Sequence, residues 1–193
     1  MTSPEQPDKP SEPTYADRVY RSPLAMVGGA LLLALALWMG GDALIRGEGR
    51  TKLLAVATLL LVVPLVVAFT FRPAVFANDD RMRVRNPFRT IVLPWSSVVT
   101  LRAQYSTEAV IEDGTKYQLW SVPVSLRERK LAARGKKTTP ADADRTVQEL
   151  RELAETGATR PTAKGEPTVT WAYEIIAPAV VGAIALATLL ATG

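Results

Sequence analysis

A stretch of alternating arginines is the part of the sequence best suited to bind an anion. Residues Arg81–Arg85 read RMRVR, and Arg89 follows one short turn later. A guanidinium offers five N–H donors in a planar fork, which matches the oxygens of phosphates and carboxylates. Because strand side chains alternate between faces, the arginines are expected on one face, with Met82 and Val84 turned to a core.

A second basic segment, LRERKLAARGKK, occupies residues 126–137 and contains one glutamate. At a membrane surface, each Lys or Arg near anionic lipids contributes about 1 kcal/mol of attraction. The candidate contacts for an anionic lipid or phosphate are Arg81, Arg83, Arg85, Arg89, Arg127, Arg129, Lys130, Lys136 and Lys137.

Both basic segments have other interpretations that the sequence leaves open. The first fits a solvated strand face that also biases membrane orientation, and the second fits a solvated loop. A headgroup pocket would need basic groups from further strands, for which Arg102 and Lys116 are candidates. Nucleic-acid binding is disfavoured, because no recognition motif and no interleaved aromatic residues accompany the charges.

The residue inventory argues against catalysis. The sequence contains no Cys and no His, which removes thiolate chemistry and the commonest general base and metal ligand. Carboxylates alone can serve some enzymes, but Asp79, Asp80 and Asp113 lie in turn sequences that explain them. We therefore expect no enzymatic activity, no cofactor and no metal site.

Three apolar blocks are long enough to cross a membrane, and they determine where the basic segments lie relative to it. They cover residues 24–45, 53–71 and 171–192, and each is near the roughly 20 residues that cross about 30 Å of hydrocarbon. The first is too long for a signal peptide, so a transmembrane helical hairpin is the better interpretation. Glu174 lies within a turn of the polar flank and is expected at the membrane interface.

The distribution of Lys and Arg predicts the orientation of the spans. The larger set lies in the polar segments that flank the spans on one side: Arg18, Arg21, Arg72, Arg81, Arg83, Arg85, Arg89, Arg160 and Lys164. The smaller set, in the hairpin loop, is Arg46, Arg50 and Lys52. We therefore expect a multi-pass plasma-membrane protein whose N-terminus and middle segment are cytoplasmic and whose C-terminus is extracytoplasmic. The three basic residues of the hairpin loop favour the opposite orientation.

The polar segments complete the domain organisation. Residues 1–22 carry a proline at every third position from Pro4 to Pro13, which predicts a disordered cytoplasmic tail, or less favourably a polyproline ligand. Residues 46–52 form a short extracytoplasmic loop, residues 73–157 a domain, and residues 158–170 a polar linker.

The domain at residues 73–157 reads as short strands followed by one helix. Asp113-Gly114 is a strong hairpin signal. Thr139-Pro140 suits a helix start, and Gly157 suits the C′ position. One helical face is marked by Val147, Leu150, Leu153 and Ala154. The sequence predicts an α+β fold: six or seven antiparallel strands in a bent sheet or partly open barrel, closed by a C-terminal helix, among three transmembrane helices.

Two short motifs carry a family resemblance. MRVRN at residues 82–86 and PWSSV at residues 94–98, with the hairpin AVIEDGTKYQLW and the terminal helix, resemble the bacterial pleckstrin-homology (PH) domains of small actinobacterial membrane proteins. The likeness is closest to the family named for low molecular weight protein antigen 6, although Arg81 stands where that pattern often has Gly. The resemblance covers about Arg72 to Gly157, and it implies a PH-like fold without catalytic activity.

These observations predict a binding function. We expect a non-enzymatic integral membrane protein whose cytoplasmic PH-like domain mediates protein or anionic-lipid interaction at the inner leaflet. Membrane lipids and a protein of open identity are the expected partners, and nucleic acid is not. The alternatives are an accessory subunit of a membrane complex that acts through its spans, or a transporter component, for which only Asp42 and Glu174 approach the bilayer.

Overall fold

The computed structural model describes residues 17–103, 106–122 and 142–192. Its helices are α1 (Pro23–Arg46), α2 (Arg50–Val66), α3 (Asp142–Gly157) and α4 (Tyr173–Ala191), and a π-helical turn (Val67–Phe71) continues α2. Helix α1, helix α2 with its π turn, and helix α4 are each long and apolar enough to cross a membrane. This agrees with the three predicted spans.

Eight strands form two antiparallel sheets within the described residues. They are β1 (Arg18–Tyr20), β2 (Ala74–Ala77), β3 (Arg81–Arg85), β4 (Arg89–Pro94), β5 (Val98–Ala103), β6 (Thr107–Ile111), β7 (Lys116–Gln118) and β8 (Thr168–Trp171). One sheet has the order β1-β2-β3-β4-β8 and the other β5-β6-β7. The α+β class is confirmed. The partly open barrel is not, because a 3-10 turn at Trp95–Ser97 separates the two described ladders.

Two segments predicted to lack structure contain strands. β1 lies in the predicted disordered tail, and β8 begins in the predicted linker. They pair with β2 and β4, and so satisfy backbone groups that would otherwise form open sheet edges. Their sequences, RVY and TVTW, are rich in β-branched and aromatic residues. Each apolar helix therefore continues directly into the five-stranded sheet.

The core lies between the two sheets and α3. The predicted alternation of β3 is confirmed, because Met82 and Val84 are fully buried. The helical face of α3 is confirmed as well, since its residues Val147, Leu150 and Leu153 belong to the same buried cluster. The sheets and helix thus bury one continuous apolar interior, and the opposite face of β3 turns outward.

Trp95 fixes the end of α3. Its side chain is fully buried, and its Nε1 donates to the Asn78 carbonyl at 2.7 Å. A Cβ on Gly157 would lie 2.5 Å from Trp95 Cδ1 and 2.6 Å from the Asp79 carbonyl oxygen. Gly157 was expected just beyond the helix, but it is the last helical residue. Close packing on Trp95 is the reason for a glycine there, and the predicted start at Thr139-Pro140 lies outside the described residues.

The predicted Asp113-Gly114 hairpin is confirmed between β6 and β7. Gly114 has a φ of 82°, a left-handed conformation that glycine adopts without strain. The Asp113 carboxylate accepts a hydrogen bond of 2.7 Å from the Thr115 backbone N–H. That hydrogen bond lowers the pKa of Asp113, so turn chemistry accounts for this carboxylate.

Tyr20 anchors β1 to the domain. Its hydroxyl donates to Glu149 Oε2 of α3 at 2.9 Å. Burial, followed by the hydrogen bond to Glu149, raises the pKa of Tyr20 to about 12. The segment that precedes α1 is therefore held both by pairing with β2 and by a side-chain contact to α3.

Glycines bring the apolar helices together. A Cβ on Gly29 of α1 would lie 2.1 Å from Thr70 Oγ1, and one on Gly40 would lie 2.6 Å from a Leu59 methyl group. On α4, a Cβ on Gly182 would lie 2.5 Å from the backbone nitrogen of Leu61. Small residues at these positions let the helix backbones approach closely.

The neighbouring glycines Gly28 and Gly29 provide a matched test of this packing. A Cβ at Gly28 meets no heavy atom within 4 Å, whereas one at Gly29 overlaps Thr70. We expect Gly29→Ala to destabilise the protein by about 1–3 kcal/mol through overpacking. Thermal unfolding of the detergent-solubilised full chain should show a lower midpoint for Gly29→Ala and an equal or slightly higher one for Gly28→Ala, because Ala is the better helix former. Equal midpoints would contradict the helix contact.

Candidate functional site

The outer face of the five-stranded sheet, opposite the core, carries the three arginines of β3. The strand register arranges this face in rows. The middle row contains Val19, Phe76, Arg83, Val92 and Thr168. The row nearer the apolar helices contains Ala74, Arg85, Thr90 and Thr170. We call the set Arg21, Arg72, Phe76, Arg81, Arg83 and Arg85 the arginine face.

Phe76 is the centre of the arginine face. The guanidinium carbons of Arg83 and Arg85 lie 4.7 and 5.0 Å from its ring centroid, and that of Arg21 lies 5.8 Å away. Cations within about 6 Å of an aromatic ring are attracted to its negative face. The ring therefore attracts guanidinium groups from β3 and from Arg21, which lies two residues before the start of α1.

The upper half of the arginine face, farther from the apolar helices, already holds a carboxylate. Asp17 Oδ2 pairs with Arg83 Nη2 at 3.1 Å, and Asp17 Oδ1 accepts a hydrogen bond of 3.0 Å from Asn78 Nδ2. The surrounding cleft has a volume of about 190 Å³ and is also lined by Arg81 and Phe76. Asp17 thus partly neutralises this half from within the chain.

The lower half of the arginine face keeps an excess of positive charge. Burial, followed by the charges of Arg83, Arg72 and Arg21, lowers the pKa of Arg85, while Glu174 acts in the opposite direction. A guanidinium stays protonated in proteins in spite of such a shift. The lowered pKa therefore reflects burial first and neighbouring cations second, and an external anion beside Arg85 would offset the repulsion among those cations.

Arg72 joins the lower half to the apolar helices. Its Nη1 forms an ion pair of 2.8 Å with Glu174 in the first turn of α4. Its Nε donates to the Asn86 carbonyl at 3.2 Å, and its Nη2 donates to Thr90 Oγ1 at 3.3 Å. One side chain, placed just after the end of α2, thereby holds both the start of α4 and the β3–β4 turn.

Arg89 does not join the arginine face. In the register of β3 and β4, Arg85 lies opposite Thr90, which places Arg89 on the core side of the sheet. Its guanidinium carbon lies 5.8 Å from the ring centroid of Tyr117. Arg89 therefore lies on a different side of the sheet from the arginines of β3, and its predicted contact with an anion stays a prediction.

The other predicted basic contacts are not brought to this face. Arg102 and Lys116 belong to β5 and β7 of the second sheet. The five residues of the basic segment, Arg127, Arg129, Lys130, Lys136 and Lys137, lie outside the described residues. The described part of the arginine face consequently draws its cations from β3 and from the two chain segments beside α1 and α2.

Aromatic side chains line the core side of the domain where it meets the apolar helices. Phe69, in the π turn after α2, contacts Phe88 edge-on with centroids 5.4 Å apart, and its centroid lies 5.6 Å from that of Trp120. Trp120 and Trp171 are about half exposed. Exposed Trp residues beside apolar helices are typical of the membrane–water interface.

Comparison with known families identifies the domain that contains most of the arginine face. A family model described as Bacterial PH domain matches residues 72–155. The chain contains a bacterial PH domain. Its matched range includes β2 to β7 and most of α3, whereas β1 and β8 lie outside it. No curated protein and no solved structure matches the chain significantly.

Some site residues that the sequence did not predict lie outside the matched bacterial PH domain. Arg21 and Asp17 precede the matched range, and Arg72 is its first residue. Sequence reasoning used Arg21 and Arg72 only to orient the spans, and it gave no role to Asp17 or Phe76. The β-branched and aromatic character of RVY was the one local signal that β1 could extend the sheet.

Arg72 and Glu174 should differ in their effect on stability. The Arg72 side chain is 18% exposed and has three acceptors, whereas Glu174 is 63% exposed. We expect Arg72→Gln to cost about 1.5–3 kcal/mol, because hydrogen bonds to a charged group are lost. Glu174→Gln should cost under about 1 kcal/mol, as for an exposed ion pair.

Chemical denaturation of the full chain in detergent would measure both changes. Arg72→Lys provides the control, because a single ammonium cannot replace the guanidinium at three acceptors. It should resemble Arg72→Gln. A Glu174→Gln variant that is destabilised as strongly as Arg72→Gln would contradict the central role of the Arg72 side chain.

Proposed function

We propose that this chain is a non-enzymatic, multi-pass membrane protein whose bacterial PH domain binds anionic phospholipid headgroups at the cytoplasmic leaflet. The observation that carries the proposal is the excess of guanidinium groups in the lower half of the arginine face. Arg85 has Arg21, Arg72 and Arg83 as cationic neighbours there, and the described counter-charge, Glu174, already pairs with Arg72. Phosphate is the anionic group of phospholipids, and arginine is well suited to bind it.

The direction of β3 supports a lipid as the ligand. The strand runs from Arg81, far from the apolar helices, to Arg85, which lies opposite Ala74 just after α2. At about 3.3 Å per residue, Arg81 and Arg85 are separated by about 13 Å. A headgroup phosphate at the helix ends would reach Arg85 and not Arg81, which is also more than one Debye length away.

The sheet pairing supports the proposed topology. β1, β2 and β8 adjoin the three apolar helices and pair in one sheet, which fits a shared side for the N-terminal flank, the PH domain and the start of α4. In the loop between α1 and α2, Arg46 pairs with Asp42 at 2.9 Å, and Arg50 donates to the Leu189 carbonyl. These contacts reduce the weight of the loop as an orientation signal, and we place the domain in the cytoplasm.

A second candidate is an accessory subunit that binds a partner through its spans. The observation in its favour is that only 6–17% of each apolar window is buried within the chain. Lipid covers such surfaces by default, so headgroup binding remains the first proposal. The finer likeness to the family of low molecular weight protein antigen 6 belongs to the proposal as well, and it agrees with either function.

The test compares arginines at different heights on one strand. The full chain is used, because β1 and β8 lie outside the matched domain. It is purified from lipid mixtures of phosphatidylglycerol and phosphatidylcholine, and bound lipids are counted by native mass spectrometry. We expect Arg85→Gln and Arg21→Gln each to lower the preference for phosphatidylglycerol about fivefold, which corresponds to about 1 kcal/mol.

Arg81→Gln is the matched control and should retain the preference of the unchanged protein. Arg85→Lys should retain most of it, since the charge is kept, which separates charge from folding. If Arg81→Gln weakens the preference as much as Arg85→Gln, the ligand binds the upper cleft, and headgroup recognition at the helix ends is wrong. Unchanged preference in every variant would also reject it.

A further inference from the structure

A groove between α2 and α4 lies below the core side of the PH domain, where the headgroup proposal does not use it. Its volume is about 400 Å³, and its lining is almost wholly apolar. Leu61 and Leu65 of α2 form one wall, and Ile176, Val180 and Ala183 of α4 form the other. A ligand that fills this groove must itself be apolar and slender.

The groove has an aromatic roof that the five-stranded sheet and its β3–β4 turn supply. Phe88, in the β3–β4 turn, and Trp171, at the end of β8, close its upper end. The backbone N–H of Ala172 donates to the Phe88 carbonyl at 2.9 Å, and Phe69 contacts Phe88 edge-on. The roof is therefore fixed to both helices, and it is not a loose loop.

The groove spans much of one leaflet. The residues of α4 that line it run from Ile176 to Ala183, over which a helix rises about 10 Å, and half of a bilayer's hydrocarbon is about 15 Å thick. An acyl chain that enters from the interface can lie along most of this depth within the groove. Trp171 is 55% exposed at the upper end, the position that indole side chains prefer at the headgroup boundary.

Arg89 supplies a charge above the roof. It pairs with Trp171 in the ladder between β4 and β8, and side chains of residues that lie directly opposite are about 5 Å apart at Cβ. Arg89 lies on the core side of the sheet, opposite the arginine face. A phosphate attached to a chain in the groove would therefore meet Arg89 and not the cations around Phe76.

We propose that this groove binds one acyl chain of an anionic phospholipid from the cytoplasmic leaflet, with Arg89 contacting the phosphate. This inference rests on the proposed membrane placement of the helices, and it does not depend on headgroup binding at the arginine face. Arg89, which the strand register keeps away from the arginine face, would bind phosphate on the opposite side of the sheet. The PH domain then contacts lipids on two sides through different chemistry.

Photo-labelling of the full chain in vesicles tests the groove. The probe is phosphatidylglycerol with a diazirine in its acyl chain, and peptides are mapped by mass spectrometry. We expect labelling at Val180 and Ala183 to exceed that at Val27 and Leu31 of α1 several-fold. Those α1 residues are exposed and lie four and eight residues from the helix start, against seven and ten for Val180 and Ala183, so they report contact with bulk lipid.

Two substitutions on α4 separate filling from unfolding. Ala183→Phe fills the groove and should abolish the excess labelling, whereas Val181→Phe, which is exposed but outside the groove lining, should not. Arg89→Gln should lower the excess about fivefold for phosphatidylglycerol but not for a phosphatidylcholine probe, and Arg89→Lys should restore it.

The outcomes distinguish this inference from the proposed function. Equal labelling of the groove and of α1 would mean bulk lipid only and would overturn the inference. A groove that is labelled in vesicles but protected in native membranes would indicate a partner's helix and would also overturn it. An absence of labelling on both α1 and α4 would reject the membrane placement itself, whereas Arg85→Gln should change none of these results.

Discussion

The three hydrogen bonds of Arg72 hold the β3–β4 turn against the apolar helices. The position of this guanidinium is tightly constrained, because it donates hydrogen bonds to Glu174 of α4, to the Asn86 carbonyl and to Thr90 at the same time. The sheet is further tied to the helices by the pairing of β1 and β8, so the PH domain is not a module on a flexible tether. A movement of any apolar helix would have to break sheet hydrogen bonds or the contacts of Arg72.

This rigid attachment gives the charges on the sheet fixed heights above the helix ends. Asp17 engages the upper cations through Arg83, and the lower cations share the single described counter-charge of Glu174. The core side of the sheet differs, because aromatic residues and Arg89 lie there above an apolar groove. Under the two proposals, the two faces of one sheet would contact lipid through different chemistry, headgroup charge on one and an acyl chain on the other.

Local patterns predicted much of the fold, and long-range pairing explains what they missed. The burial of Met82 and Val84 and the Asp113-Gly114 turn are encoded within a few residues. β1 and β8 are three and four residues long, and they are strands only because β2 and β4 offer them edges. The side of the sheet on which Arg89 lies was not predictable for a related reason, since the length of the β3–β4 turn sets it and no local pattern reports that length.

The height of the sheet above the bilayer is the central claim, and the absence of native cysteine makes it directly measurable. Thr168→Cys and Thr170→Cys place one spin label each on exposed outer-face positions of β8, one strand step apart on that face. With a paramagnetic metal chelate attached to the lipid headgroups of vesicles, the label at position 170 should relax faster than the label at position 168. Equal relaxation, or faster relaxation at position 168, would contradict the proposed placement of the arginine face at the headgroups.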